Sequence, residues 1–294
     1  MRAVGQALHR LGAQVFFLDQ REVLASAIEL CVDRAVTGRL GVTAQQIELS
    51  DLTAVYLRPH DSRQIPAVAR AGAESAAWQH AVQFDDILLS WIDLAPVLAV
   101  NRPAAMAANN SKPYQQAQIG ECGFATPDTL LTTDPAAACE FWAEHGTVIY
   151  KSVSGIRSIV SRLTPADQDR LADIRWCPTQ FQQYIPGTDY RVHVVGDEIF
   201  ACEIVADADD YRYAARQGGT TRIRSATLPD EWADRCRAMA AAMELPVAGI
   251  DLRRTPTGDW YCFEVNPSPG FTYYQEATGQ PIDAAIARLL MRAD

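Results

Sequence analysis

Residues 248–267 constrain this chain more than any other stretch. They read Ala-Gly-Ile-Asp-Leu-Arg-Arg-Thr-Pro-Thr-Gly-Asp-Trp-Tyr-Cys-Phe-Glu-Val-Asn-Pro. Two runs rich in β-branched, aromatic and aliphatic side chains flank Pro256-Thr257-Gly258-Asp259, which is turn chemistry. The stretch therefore reads as a β-hairpin. A turn centred between Thr257 and Gly258 sets Asp251 opposite Glu264, and Asn266, two residues on, shares the face of Glu264. Facing residues have Cβ atoms about 4.5–5.5 Å apart, so two carboxylates there repel each other. A cation between them removes the objection. Mg²⁺ takes oxygen ligands at about 2.0–2.1 Å, often one or two carboxylates with phosphate oxygens and water. The Asn266 amide oxygen would complete an all-oxygen set. The alternative is a solvated polar face, and the hairpin alone does not choose.

Composition narrows the class. The chain has 294 residues, enough for one large domain or two to three small ones. No apolar run is long enough to span a bilayer, and Gln6, His9 and Arg10 interrupt any signal-peptide core at the start. A formal net charge of -10 argues against general affinity for nucleic acid or anionic membrane. The seven cysteines are odd in number and none has CxxC spacing, which points to reduced thiols in a cytoplasmic protein. Neither a Cys/His dyad nor a Ser/His/Asp triad can be drawn from spacing.

Residues 1–100 read as an α/β region. Helices are expected at 2–11 and 65–87, with strands at 14–19, 30–33, 52–57 and 97–100. A doubly wound layer usually opens on a strand. This chain opens on a helix, so its N-terminus reads as shortened. A second region, 101–185, carries helices at 111–120 and 134–145 and strands at 129–133, 146–151 and 179–185. The third, 186–294, carries a hairpin of 190–195 with 198–204, a polar basic stretch at 211–224, a helix at 230–243, the opening hairpin, and a closing helix at 282–292.

Lys112 and Lys151 are the only two lysines. One stands at a capped helix start, the other at a strand end before the polar loop Ser152-Val-Ser-Gly-Ile-Arg-Ser158. Each alone reads first as surface solvation. Beside a carboxylate pair able to hold Mg²⁺ they read as phosphate contacts, with lysine as a point charge. The loop is no Walker A motif, and no G-x-G-x-x-G follows a strand.

Several motifs in order carry a family resemblance: Asn110-Ser-Lys112, Pro127-Asp-Thr-Leu-Leu131, Val148-Ile-Tyr-Lys151, Phe181-Gln-Gln-Tyr-Ile185, Asp189-Tyr-Arg191-Val-His-Val-Val-Gly196, Gly249-Ile-Asp251-Leu252 and Phe263-Glu264-Val-Asn266-Pro267. Residues 101–275 resemble the ATP-grasp superfamily, most closely the RimK-like branch that contains ribosomal-protein glutamate ligases and ligases that cyclise ribosomally made peptides. The first hundred residues resemble that family's preceding domain only in general pattern. The resemblance implies an α/β (α+β) ATP-grasp fold, with the nucleotide held between two antiparallel-sheet subdomains, 101–185 and 186–294, behind a pre-ATP-grasp α/β domain, 1–100.

The resemblance also implies roles. Asp251, Glu264 and Asn266 would hold two Mg²⁺ ions, with Mn²⁺ as a substitute. Lys112 and Lys151 would contact the α and β phosphates of ATP. Gln182, Gln183, Tyr184 and Ile185 would form the adenine hinge, with backbone groups of Gln183 and Ile185 reading the base. Many relatives have Glu where Gln182 or Gln183 stands, which puts a side-chain contact to the base in doubt. Asp189 would bind the ribose hydroxyls, and Arg191 and Arg212 would face the γ-phosphate or an acyl-phosphate. Two bland readings stand beside these: Asp189 as a strand start, and Arg191 paired with an acidic neighbour such as Glu203.

The implied reaction is ATP-dependent ligation of a carboxylate to an amine through an acyl-phosphate. It needs positioning and electrostatics rather than a nucleophilic side chain. Ser268 and Gly270 are candidate donors to the acyl group, walled by Phe271, Tyr273 and Tyr274; a loop with aromatic core anchors is the alternative. Arg58 is a candidate grip on a substrate carboxylate or a structural arginine. The basic patch of Tyr211, Arg212, Tyr213, Arg216, Arg222 and Arg224 suits ATP or an acidic peptide, or is a solvated face. A peptide-modifying ligase leads. A free amino-acid or dipeptide ligase, a kinase on the same fold, and a nucleotide-binding protein without ligase activity are the competing readings. A homo-oligomer is compatible with the sequence.

Overall fold

The computed structural model describes residues 1–43, 45–107, 111–153, 160–206 and 221–292. The elements, in chain order, are α1 (Arg2–Arg10), β1 (Ser26–Val32), β2 (Val36–Val42), β3 (Gln45–Glu48), β4 (Ala54–Tyr56), α2 (Pro66–Ala71), α3 (Ala76–Leu94), β5 (Leu98–Val100) and α4 (Pro103–Met106). Then come α5 (Lys112–Glu121), β6 (Thr129–Thr132), α6 (Pro135–His145), β7 (Val148–Ser152), β8 (Ser161–Arg162) and β9 (Thr179–Gln183). The chain closes with β10 (Thr188–Val195), β11 (Glu198–Ala206), β12 (Thr221–Ala226), α7 (Asp230–Ala242), β13 (Val247–Arg254), β14 (Trp260–Asn266), α8 (Thr272–Thr278) and α9 (Ile282–Met291). These elements form two compact units. One is 1–107 with 241–247 and 281–294; the other is 108–240 with 248–280.

The first unit holds a parallel β4–β5 pair and an antiparallel β1-β2-β3 meander. Its core gathers Val23, Leu49, Val68, Phe84, Leu88, Trp91 and Ile92, with α3 supplying the last four. The long helix expected over 65–87 is two helices. Gly72, at φ +86°, ends α2, and the Ser75 hydroxyl then caps α3 by accepting from Trp78 N–H at 3.1 Å. The strand expected at 14–19 is irregular backbone. Phe16 and Leu18 pack on the core without a ladder, and a short apolar run does not by itself distinguish these outcomes. Meanwhile β2 and β3 stand where no strand was expected. β2 carries Gly38 and Gly41, and a Cβ at Gly38 would lie 2.1 Å from the Glu29 carbonyl oxygen. The glycine permits this close pairing and also hides the strand from a propensity reading.

The second unit carries two sheets. The order is β6-β9-β7-β8 in one, with its three pairings antiparallel, and β12-β11-β10-β13-β14 in the other. β10 and β11 form the expected hairpin across Gly196-Asp197, and β13 and β14 form the one at 248–267. A 3-10 helix at Pro165–Trp176, β12 and α8 were not expected from the sequence.

Candidate active site

The β13–β14 hairpin positions the two central carboxylates, and it does so through a bulge. Near the turn, Arg254 pairs Trp260 and Leu252 pairs Cys262. The loop is therefore three residues, Pro256-Thr257-Gly258, with Gly258 at φ +99°, rather than a two-residue turn. Beyond Leu252 the register shifts by one, so that Asp251 pairs Glu264, Ile250 pairs Val265 and Gly249 pairs Asn266. Phe263 is the extra residue. Cys262 and Val265 are both buried although three residues apart, while Phe263 and Glu264 between them are both half-exposed. Without the bulge Asp251 would face Phe263. The expected Asp251–Glu264 opposition is present, reached by a longer loop and a compensating bulge.

Each carboxylate has a cation against it. Arg191 Nη1 donates to Asp251 Oδ1 at 2.7 Å, and Lys112 Nζ pairs with Glu264 Oε1. Arg191 stands on β10 and is 5% exposed. It fits because its neighbour has no side chain: a Cβ at Gly249 would lie 2.3 Å from Arg191 Nη2 and 2.6 Å from Pro269 Cβ. The Arg191 guanidinium also lies 5.6 Å from the Tyr274 ring centre. Arg191 thus pairs with Asp251 rather than with Glu203, which binds Arg224 at 2.9 Å.

Lys112 opens α5, which is held against β14 by Gln115. This buried amide donates to the Val265 carbonyl at 2.7 Å and accepts from Val265 N–H at 3.1 Å. Burial pushes the Glu264 acid up. The charge and hydrogen bond of Lys112, then the charges of Lys151 and Arg191, outweigh that and hold it below the usual carboxylate range. Lys151, near the end of β7, therefore acts on the same carboxylate as Lys112.

Asn266 lies opposite Gly249, and its Oδ1 accepts from Ser268 N–H at 2.9 Å. The Gly270 carbonyl lies 3.4 Å from Nε2 of His193, whose ring centre is 5.2 Å from that of Tyr274. His193 is 1% exposed, and burial, followed by the charge of Arg191, lowers its pKa to about 3. It is neutral at physiological pH. Phe271 and Tyr274 are buried and Tyr273 is exposed, so two of the three aromatics are core anchors and α8 begins at Thr272.

The hinge residues lie at the end of β9. The Gln182 amide donates to Thr129 Oγ1 at 3.0 Å and is buried, Gln183 N–H donates to the Asp128 carbonyl at 2.9 Å, and Tyr184 N–H to Thr147 at 3.0 Å. Arg253 was missed in the sequence. It binds both oxygens of Asp189 and the Ile185 carbonyl. Its signal was its place two residues after Asp251, on the same face of a strand. Gln115 and His193 were missed as well, and neither carries a pattern by itself.

Arg58 belongs to the first unit, where its side chain bonds the half-buried Tyr56 and its carbonyl accepts from Gln20 at 3.0 Å. Arg212, with Asn110, residues 154–159 and most of the basic patch, lies outside the described residues. Among the described residues no group of three or more His, Cys, Asp or Glu side chains forms a metal cage. The donor set of two carboxylates and one amide oxygen nonetheless fits Mg²⁺, which completes its shell with phosphate oxygens and water.

A family model described as the RimK-like ATP-grasp domain matches residues 117–290. A probable alpha-L-glutamate ligase of Cellvibrio japonicus (strain Ueda107) is 30% identical over 149 residues, 50% of this chain and 46% of that protein. The chain thus spans about half the length of the curated relatives it matches. Among solved structures, the ATP-grasp ligase PsnB, complexed with a phosphomimetic variant of its minimal precursor, Mg and ADP, is 27% identical with a TM-score of 0.81 over 99% of this chain and 94% of that one. The macrocyclase MdnC of Microcystis aeruginosa MRC, bound with the precursor peptide MdnA, is 22% identical with a TM-score of 0.83 over 99% and 95%. These likenesses bear out the ATP-grasp fold expected from the sequence.

Proposed function

The chain belongs to the RimK-like ATP-grasp family, and from that premise we propose that it is an ATP-dependent carboxylate–amine ligase acting on a peptide. The observation that carries the reading is the opposed pair Asp251 and Glu264, each matched to a cation, Arg191 and Lys112. In this reading residues 1–100 are the domain that precedes the ATP-grasp part, and 101–185 and 186–294 are its two subdomains.

Asp251, Glu264 and Asn266 would hold two Mg²⁺ ions, or Mn²⁺, which supply charge neutralisation on the nucleotide phosphates. Lys112 and Lys151 then turn from carboxylate to phosphate. Gln182 to Ile185 flank the adenine, and Asp189 takes the ribose. Arg191, with Arg212, steadies the transferring phosphoryl group. A substrate carboxylate oxygen attacks the γ-phosphorus and ADP leaves, giving an acyl-phosphate. An amine nitrogen attacks the acyl carbon, loses a proton, and inorganic phosphate leaves with the bonding pair. The protein's part is positioning and charge. Ser268 and Gly270 are proposed to face the acyl group, and Arg58 a substrate carboxylate.

A peptide substrate is supported by the precursor bound to PsnB, and an acidic amino-acid substrate by the glutamate ligases among the relatives. The buried thiols of Cys202, Cys236 and Cys262 suit a reducing cytoplasm, and no described helix is long and apolar enough to cross a membrane. The test is ADP release screened against acidic peptides and free amino acids, with hydroxylamine trapping of the acyl-phosphate. Peptide-dependent ADP release with a hydroxamate product supports the reading. ADP release that yields a stable phosphoester would make the protein a kinase.

A further inference from the structure

Arg253 engages three acceptors and two aromatic rings. Its Nε donates to Asp189 Oδ1 at 2.7 Å, its Nη2 to Asp189 Oδ2 at 3.0 Å, and its Nη1 to the Ile185 carbonyl at 2.8 Å. Its guanidinium carbon lies 5.1 Å from the ring centre of Phe263, the bulge residue, and 5.9 Å from that of Tyr184. Arg162 approaches the same Tyr184 ring at 4.3 Å. The Arg253 and Asp189 side chains are 14% and 22% exposed, so the pair is largely but not wholly screened from water.

We propose that Arg253 is a positioning residue that makes nucleotide binding depend on the ribose. It fixes the plane of the Asp189 carboxylate for two vicinal hydroxyls and ties that carboxylate to the hinge carbonyl. The inference rests on the nucleotide reading above. A carboxylate offers about four lone-pair sites, and the fork sets its plane with two of them, one on each oxygen. A bidentate fork sets orientation as well as charge. Lysine would keep the charge but offers a compact point donor, which cannot hold both carboxylate oxygens and a carbonyl in one plane. The chemical class recognised is thus a ribonucleoside triphosphate over its deoxy counterpart.

Calorimetry with Mg²⁺ present would compare ATP, 2′-deoxy-ATP and 3′-deoxy-ATP on the wild type, Arg253→Met and Arg253→Lys. The wild type is expected to favour ATP over either deoxy form by about tenfold, the loss of one charge-assisted hydrogen bond. In Arg253→Met that preference falls to within about twofold, KM for ATP rises, and kcat at saturating ATP holds within about twofold, the signature of lost uniform binding. Arg253→Lys follows the Met variant, and because it keeps stem and charge it decides the matter if the Met variant fails to fold. Retained ribose preference in either variant overturns the proposal. So does a wild type that binds ATP and deoxy-ATP equally, which would leave the nucleotide reading intact. A wild type that binds no ATP at all would overturn the nucleotide reading itself and this inference with it.

Discussion

The two ends of the proposed nucleotide site use arginine and lysine in opposite ways. At the hairpin end, Arg191 and Lys112 each meet one carboxylate that the reading assigns to a metal. Those pairs must separate when phosphates and cations arrive. At the hinge end, Arg253 holds three acceptors with three nitrogens, and nothing in the reading requires it to let go. The hairpin end is thus a set of exchangeable pairs that keeps its charges matched before nucleotide binds, with Lys112, Glu264 and Asp251 each still 22–28% exposed. The hinge end is a fixed frame. The contrast follows from geometry: one-to-one contacts can be swapped singly, whereas a planar fork must break as a unit.

The largest test of this contrast falls on the exchangeable end. Glu264→Gln should cut ADP release by about 10²–10³-fold, comparable to the loss of one preorganised electrostatic group. Its melting temperature should stay close to wild type, because Gln keeps the shape of the side chain. Next in size, Gly249→Ala forces a methyl into the space of Arg191 and Pro269. It should destabilise by about 1–3 kcal/mol and lower kcat, read by urea melts and initial rates; an unperturbed protein would mean that Arg191 needs no such cradle. Gln115→Leu removes both bonds to Val265 and leaves a buried N–H and C=O without their partner. A loss of about 1–3 kcal/mol is expected, with KM for ATP rising as Lys112 loosens over β14.

The smallest effect is a slope. His193 has a folded pKa of about 3, below its ordinary value of 6.5. Below pH 6.5 the unfolded chain therefore takes up a proton that the folded chain refuses. The stability that neutral His193 allows is complete above pH 6.5 and falls as pH drops toward 3, by at most about 1.4 kcal/mol per pH unit. Urea melts at pH 7 and pH 5 should diverge more for the wild type than for His193→Phe. Equal divergence would show that His193 is protonated in the folded state.

Much of the second unit was legible, for a physical reason: its strands are runs rich in β-branched, aromatic and aliphatic residues, and its turns carry Gly, Pro and Asp. The facing of Asp251 and Glu264 was legible only in outcome. A two-residue turn and no bulge predicts the same pair as a three-residue loop with Phe263 bulged out, because each changes the register by one. No propensity marks Phe263. Arg253 stayed hidden since its partners, Ile185 and Asp189, are 68 and 64 residues away in sequence. In the first unit, glycines inside β2 masked a strand, and Gly72 split a helix that lacked any internal proline. Arg58 and Arg212 remain proposals of the sequence alone.

The central claim is that Asp251 and Glu264 hold the divalent cation that accompanies the nucleotide. Calorimetric titration of ATP with and without Mg²⁺ tests it most directly, on the wild type, Asp251→Asn and Glu264→Gln. Mg²⁺ should tighten ATP binding to the wild type by about tenfold or more, and this increment should vanish in both variants while each stays folded. An undiminished Mg²⁺ increment in either variant would contradict the account.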